Sequence, residues 1–337
     1  DVCGECGGND WDLCDDDDDG TSNYDQWGYG AYEIEVQDIP NDQGNWVNIS
    51  FHASILDDEP IDRNPDLYHI QRNDDTVWTS VASAPAIGLN HYNVEAHTYQ
   101  NTIITDEGDT LYNFTEFRII ASFEEGDFIS NQNGVGYSID NIHPTTPSDV
   151  SASHTGNDIS LNWQYELEED FAYHRITSLN SIDNTISNEH SFTLDGHDEH
   201  WVNSVDYNGN YSDNTESIMS MALGQGANLR SFNVLPDDNS ITNVMASIEG
   251  VATGVIGEGV AANYMEGSGW MGSLSAIDLN SGYWIMVSED DVLLLMGEPT
   301  SRELPYTLHE GANLISYPFR YATVLEEAIP DDAQTSI

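Results

Sequence analysis

From residue 31 onward, apolar positions recur with a period of two rather than 3.6. Val47, Ile49, Phe51 and Ala53 alternate with Asn48, Ser50 and His52. Phe117, Ile119, Ala121 and Phe123 alternate with Arg118, Ser122 and Glu124, broken only by Ile120. Successive side chains of a pleated strand point to opposite faces, so each run predicts a strand with one buried face. Tyr68-His69-Ile70, Val77 to Val81 and Tyr92-Asn93-Val94 lie between them, separated by Asp, Asn, Pro and Gly, the residues that make turns. Farther on, Ile159, Leu161 and Trp163 alternate inward, with the tryptophan as a core anchor. Many short strands, polar turns and no sustained helical stripe predict β-sandwiches. One helix breaks the pattern: Ser240 is placed to cap 241–248, where Ile241, Val244, Met245 and Ile248 share a face. The predicted fold class is all-β, with tandem β-sandwich modules followed by a β-rich C-terminal module holding at most one short helix.

The pattern divides into four segments: a Cys/Asp-rich segment at 1–30, a sandwich at 31–143, a second sandwich at 144–221 and a repeat module at 222–337. Ile142-His143-Pro144-Thr145-Thr146-Pro147 marks the middle joint, because proline removes a donor and biases the residue before it toward extended geometry. In the last segment, Leu223-Gly224-Gln225-Gly226-Ala227-Asn228-Leu229-Arg230-Ser231-Phe232 returns eighty-five residues later. The second copy is Leu308-His309-Glu310-Gly311-Ala312-Asn313-Leu314-Ile315-Ser316-Tyr317, with Gly269 to Leu274 and Gly282 to Val287 lying between the two. Only 26 residues follow Gly311. Three expectations follow: processing at that point, continuation beyond it, or completion by a neighbouring subunit, a route to polymers.

Charge narrows the setting. Sixty acidic residues face seven basic ones, all arginine, for a formal net charge of −53. Such a surface repels itself at low ionic strength, whereas salt near marine strength shortens the Debye length to about 4 Å. A hydrophobic fraction of 39% with 10% aromatics separates the chain from a disordered acidic tail. The expected setting is extracellular, in saline or calcium-bearing water. Nucleic acid and anionic membrane both demand clustered Lys and Arg, and no run of 18 apolar residues offers a membrane span. Asp1-Val2-Cys3-Gly4 has neither the basic nor the apolar region of a signal peptide, so the expectation is either a leader already removed or a start inside a longer precursor.

The strongest ligand signal is near the N-terminus. Asp15, Asp17 and Asp19, then Gly20, Asn23 and Asp25, give the Asp-x-Asp-x-Asp-Gly opening of a calcium loop, in which alternate oxygens converge on a hard cation. Gln26 stands at the twelfth position, where an EF-hand has a bidentate Glu. The competing reading is a solvated acidic linker. Zinc at Cys3, Cys6 and Cys14 lacks a fourth ligand nearby, and three cysteines leave one thiol over. Further acidic runs, Asp57-Asp58-Glu59, Glu168-Glu169-Asp170 and Glu289-Asp290-Asp291, are either additional calcium clamps or solvated loops that guard sheet edges.

Several stretches resemble known families. Cys3 to Gly8, Cys-Gly-Glu-Cys-Gly-Gly, resembles units in secreted proteins with thrombospondin type 3-like calcium repeats. The Pro-rich entry, Trp163, and Asp206-Tyr207-Asn208-Gly209-Asn210-Tyr211-Ser212 together resemble a fibronectin type III domain over 145–220. Val36 to Asn141, marked by Asp38 to Gly44 and Gly136 to Asn141, resembles a divergent sandwich that precedes such domains in large secreted bacterial proteins. The repeat and Gly282-Tyr283-Trp284 resemble Gly-x-Asn-Leu-Ile-Ser and Gly-Tyr-Trp modules near the C-termini of secreted bacterial surface proteins. These resemblances imply a surface or secreted protein; sandwich folds host many functions and imply no chemistry.

No Gly-x-Ser-x-Gly elbow, phosphate loop, His-Glu-x-x-His or dinucleotide fingerprint occurs, so no enzymatic activity is expected. Asp195-Gly196-His197-Asp198-Glu199-His200 is the nearest metal-binding candidate. On a strand, however, residues three apart face opposite ways. Trp78, Trp270 and Tyr283 are candidates for a sugar-stacking platform, set against core or sheet-face packing. Two function classes follow. One is a non-enzymatic, calcium-stabilised structural or adhesive surface protein that self-associates, as the subunit of an extracellular filament. The alternative is the polysaccharide-binding accessory region of a secreted hydrolase.

Overall fold

The computed structural model describes residues 28–57, 64–105, 107–124, 126–301, 304–317 and 324. The chain falls into two compact units. One runs to His143 and takes in Tyr207–Asn210; the other comprises Pro144–Asp206 and the chain from Tyr211 onward.

In the first unit the strands follow in order: β1 (Tyr32–Asp38), β2 (Trp46–His52), β3 (Leu67–Asp74), β4 (Val77–Pro85) and β5 (His91–His97). After them come the short β6 (Ile103–Ile104) and β7 (Thr110–Leu111), then β8 (Thr115–Phe123), β9 (Gly126–Ile129) and β10 (Gly134–Gly136). One sheet has the order β1-β2-β5 and the other β10-β8-β3-β4, with β9 also on β8. The period-two pattern sets what lies between them. Val47, Ile49 and Phe51 point inward from β2, Tyr68 and Ile70 from β3, and Phe117, Ile119 and Ala121 from β8, all at most 1% exposed. Each buried large apolar side chain contributes about 1.5–3 kcal/mol, and they form one continuous core. Gly134 and Gly136 let β10 lie flush on β1, because Ile34 and Val36 occupy the space any Cβ would take.

The second unit opens with β11 (Ser148–Thr155), β12 (Asp158–Gln164), β13 (Phe171–Ser178), β14 (Ile182–Thr185), β15 (Glu189–Thr193), β16 (His197–Asp206) and β17 (Ser217–Leu223). Strands β11-β12-β15 form one layer, and β14-β13-β16-β17 belong to the other. All these pairings are antiparallel, and three strands against four is the layout of a fibronectin type III-like sandwich. Trp163, 1% exposed, sits in its core with Ile159, Leu161, Ile176 and Val202.

Next come β18 (Gly226–Ser231), β19 (Val234–Leu235), α1 (Ile241–Val244), β20 (Ala252–Gly257), β21 (Val260–Met265), β22 (Gly269–Gly272), β23 (Gly282–Val287) and β24 (Asp291–Pro299). Five of them make a sheet ordered β18-β23-β20-β21-β22. Ser240 caps α1, its hydroxyl accepting from Asn243 N at 3.4 Å. A 3-10 turn at Ala246–Ile248 completes the apolar face, with Ile241, Val244, Met245 and Ile248 at most 4% exposed.

The expected module boundary between 221 and 222 falls inside β17. β24 pairs with β17 from Ser217↔Gly297 to Leu223↔Asp291, so the sandwich sheet continues as β14-β13-β16-β17-β24-β19. β17 is therefore buried on both faces. Ile218 enters the sandwich core, whereas Met219, Met221 and Leu223 enter the C-terminal core. The two modules share a sheet.

Candidate functional site

The calcium-loop residues Asp15, Asp17, Asp19, Asn23 and Asp25, with Cys3, Cys6 and Cys14, lie outside the described residues. Asp58 and Glu59 also lie outside them, but Asp57 is described and only 5% exposed. Its carboxylate accepts from Tyr92 OH at 2.6 Å, Tyr68 OH at 3.1 Å and Gly88 N at 2.9 Å. Burial, and next the Asp57 charge, push the Tyr68 phenol upward. Asp57 thus ties the chain after β2 to β3 and β5. In Glu289-Asp290-Asp291, Asp290 accepts from Gln225 N at 2.7 Å and Asp291 from Val292 N at 2.9 Å. Asp290 thus ties the β17–β18 turn to the β23–β24 turn, and Asp291 bonds locally at the start of β24.

The third run differs. Asp170 and Asp206, both in the second unit, have carboxylate oxygens within 4.8 Å of one another. Burial raises the Asp170 carboxyl, and the charges of Asp206, Glu168 and Glu169 raise it further. Like charges this close disfavour double ionisation unless a cation sits with them.

His197 and His200 both lie on β16 and go separate ways. His200 is 3% exposed and stacks on Phe192 at 3.9 Å between ring centroids; burial pushes its imidazole down to about 4. His197, also lowered by burial, interacts with the Asn233 side chain and Arg230. Between them, Glu199 is fully buried and accepts from Ser217 Oγ at 2.9 Å and Asn233 Nδ2 at 2.6 Å. The two imidazoles do not converge on one ion, as the strand period requires.

The three aromatic candidates have separate surroundings. Trp78 lies in the first unit under the Arg118 guanidinium, 4.3 Å from its ring centroid. Trp270 is half-buried against Tyr264. Tyr283 is a core residue, 2% exposed, whose oxygen accepts from Asp278 N at 2.8 Å.

A different surface stands out on the β18-β23-β20-β21-β22 sheet. Along β23, Tyr283, Ile285 and Val287 turn inward at no more than 4% exposure, and the opposite parity puts Trp284 outward at 40%. Leu229 pairs directly with Trp284, and Trp284 with Ile256. The three large side chains lie side by side across adjacent strands, at 47%, 40% and 46% exposure. The next outward row runs Ala227, Met286, Gly254, Asn263 and Met271. None of these side chains is charged.

The second repeat copy borders this face. Gly282 N donates to Leu314 O at 2.9 Å, Ile315 bridges to Ser281, and Tyr317 N donates to Ser231 Oγ at 3.1 Å. Its segment also meets the β20–β21 turn, where Glu258 accepts from Leu314 N at 2.9 Å and pairs with His309. Ile315 and Tyr317 remain about as exposed as Trp284.

No protein-family model and no curated protein matches the chain. Among solved structures, the FN1–FN3 domains of chicken CNTN1 are similar, with a TM-score of 0.25 and 12% identity. The match covers 56% of this chain and 65% of that one, so this chain spans less than two thirds of that structure. The sandwich assignment rests on strand order, not on this likeness.

Proposed function

We propose that the chain is a non-enzymatic extracellular structural or adhesive protein, stabilised by calcium, that self-associates through the Leu229–Trp284–Ile256 face as the subunit of a filament. The observation that supports this reading is the uncharged face itself, on a chain carrying −53. Burying exposed apolar surface yields about 25 cal/mol per Å², and a contact free of carboxylates avoids desolvating charge. Contiguous exposed apolar area of this kind marks interaction sites. Copies so strongly charged approach each other only when salt or bound cations screen them. Calcium at Asp15, Asp17, Asp19, Asn23 and Asp25, and at the Asp170–Asp206 pair, serves that screening and fixes the modules.

In the alternative, a polysaccharide-binding region, the exposed Trp284 stacks on a sugar ring instead. Sedimentation of the full chain in saline with millimolar calcium, then with excess chelator, separates the two. Fast species that collapse on chelation support the scaffold. A small particle indifferent to chelator, together with saturable binding to a polysaccharide, supports the alternative.

A further inference from the structure

The outward face of β1-β2-β5 in the first unit is as polar as the C-terminal face is apolar. Across β2 and β5 the register pairs Trp46 with His97, Asn48 with Glu95, Ser50 with Asn93 and His52 with His91. Ala53 N donates to Asn90 O on the next rung, and Thr98 N to Asn45 O at the other end. Bonded and non-bonded rungs alternate in an antiparallel pair, so these four outward pairs all fall on non-hydrogen-bonded rungs, where opposing side chains approach most closely. For His52 and His91 the ring centroids are 3.5 Å apart. Glu33 approaches His52 from β1, where the register shifts between Tyr32 and Glu35; its Oε2 lies 3.0 Å from His52 Nε2.

We propose that His52 and His91 chelate a divalent transition metal of the zinc, copper or nickel class. Imidazole nitrogens suit these metals, whereas calcium takes oxygen ligands. With metal–nitrogen bonds of about 2.0–2.1 Å, two nitrogens on a tetrahedral edge stand roughly 3.3 Å apart. The two rings, tilted by 58° at that spacing, reach that separation by side-chain rotation. His91 is exposed and His52 half-buried, so a cation has access from solvent. This site is independent of the self-association face, which lies in the other unit.

The test is a calorimetric titration of the full chain with Zn²⁺. Calcium is present to occupy carboxylate sites, and the cysteines are alkylated beforehand. Wild type is expected to show a site that His91→Ala weakens by about tenfold or more, because the second imidazole binds intramolecularly once the first is engaged. His97→Ala, on the same face beside Trp46, leaves that site unchanged. Electron paramagnetic resonance with Cu²⁺ is expected to report two imidazole nitrogens in wild type and one in His91→Ala. Equal zinc affinity in wild type and His91→Ala, or the same nitrogen count in both, overturns the proposal.

Discussion

Asn228 and Asn313 close two copies of one turn in the same way, eighty-five positions apart. Asn228 donates through Nδ2 to Gly224 O at 2.8 Å and accepts from Gly224 N at 3.0 Å. Asn313 makes the same pair with His309, at 2.9 Å each. The glycine two residues before each asparagine has nearly the same left-handed φ, +104° at Gly226 and +105° at Gly311, a conformation that penalises a Cβ. The sequence repeat is thus a repeat of local structure. Asn228 also reaches Ile285 O on β23, so Asn228→Ala should cost about 1–3 kcal/mol by orphaning backbone groups. Asn313→Ala should cost less. Urea midpoints of the two variants check the order.

Acid should weaken the second unit through its buried histidines. His174 is fully buried among Trp163, Tyr165 and Phe171, and burial pushes it down to about 4, as it does His200. Unfolded histidine titrates near 6.5, so the unfolded state binds more protons between those values. Stability is therefore fully present above about pH 6.5 and falls toward pH 4, by up to about 1.4 kcal/mol per pH unit for each imidazole. Carboxylates of this unit held low by hydrogen bonds, such as Glu258, release their contribution only at lower pH. Denaturant midpoints between pH 6.5 and 5 should show a shallower decline in His174→Gln than in wild type. Parallel slopes would assign the acid sensitivity elsewhere.

Asp57 should matter for stability more than its place in an acidic run suggests. Asp57→Ala strands two buried phenols and the Gly88 amide, and should destabilise the first unit by about 3–5 kcal/mol. Tyr92→Phe removes one donor from the carboxylate and should cost about 1–3 kcal/mol. Thermal unfolding of both variants tests whether the first is the more damaging.

The Asp170–Asp206 pair gives calcium a measurable signature. In calcium-free buffer, Asp170→Asn should raise the melting temperature, since it removes a half-buried charge facing the buried Asp206 carboxylate. Added calcium should lift wild type, as any ligand of the native state does, and lift the variant less. An equal calcium response in both would place the cation elsewhere.

The inward faces of β2 and β8 could be read directly from the sequence, because polar residues alternate with Val47, Ile49 and Phe51 and with most of the Phe117–Phe123 run. The helix was legible too, through Ser240 and the spacing of Ile241, Val244 and Met245. The outward position of Trp284 was not, because Gly282-Tyr283-Trp284-Ile285-Met286-Val287 is apolar on both parities, and alternation cannot say which set faces solvent. Nor was the sheet shared by β17 and β24, whose partners lie some seventy residues apart and carry no local signal. The imidazole pair was hidden for a similar reason: only the β2–β5 register brings His52 opposite His91.

The most direct test of the account is sedimentation velocity of the full chain in calcium-containing saline, comparing wild type with Trp284→Asp. Ile186→Asp serves as control, since Ile186 is an exposed apolar residue of the same unit, away from the five-stranded sheet. A carboxylate at the centre of the uncharged row should reduce wild-type assemblies to single chains, with circular dichroism unchanged and the control still assembled. Assemblies of undiminished size in Trp284→Asp, or a wild type that sediments as a single chain, would contradict it.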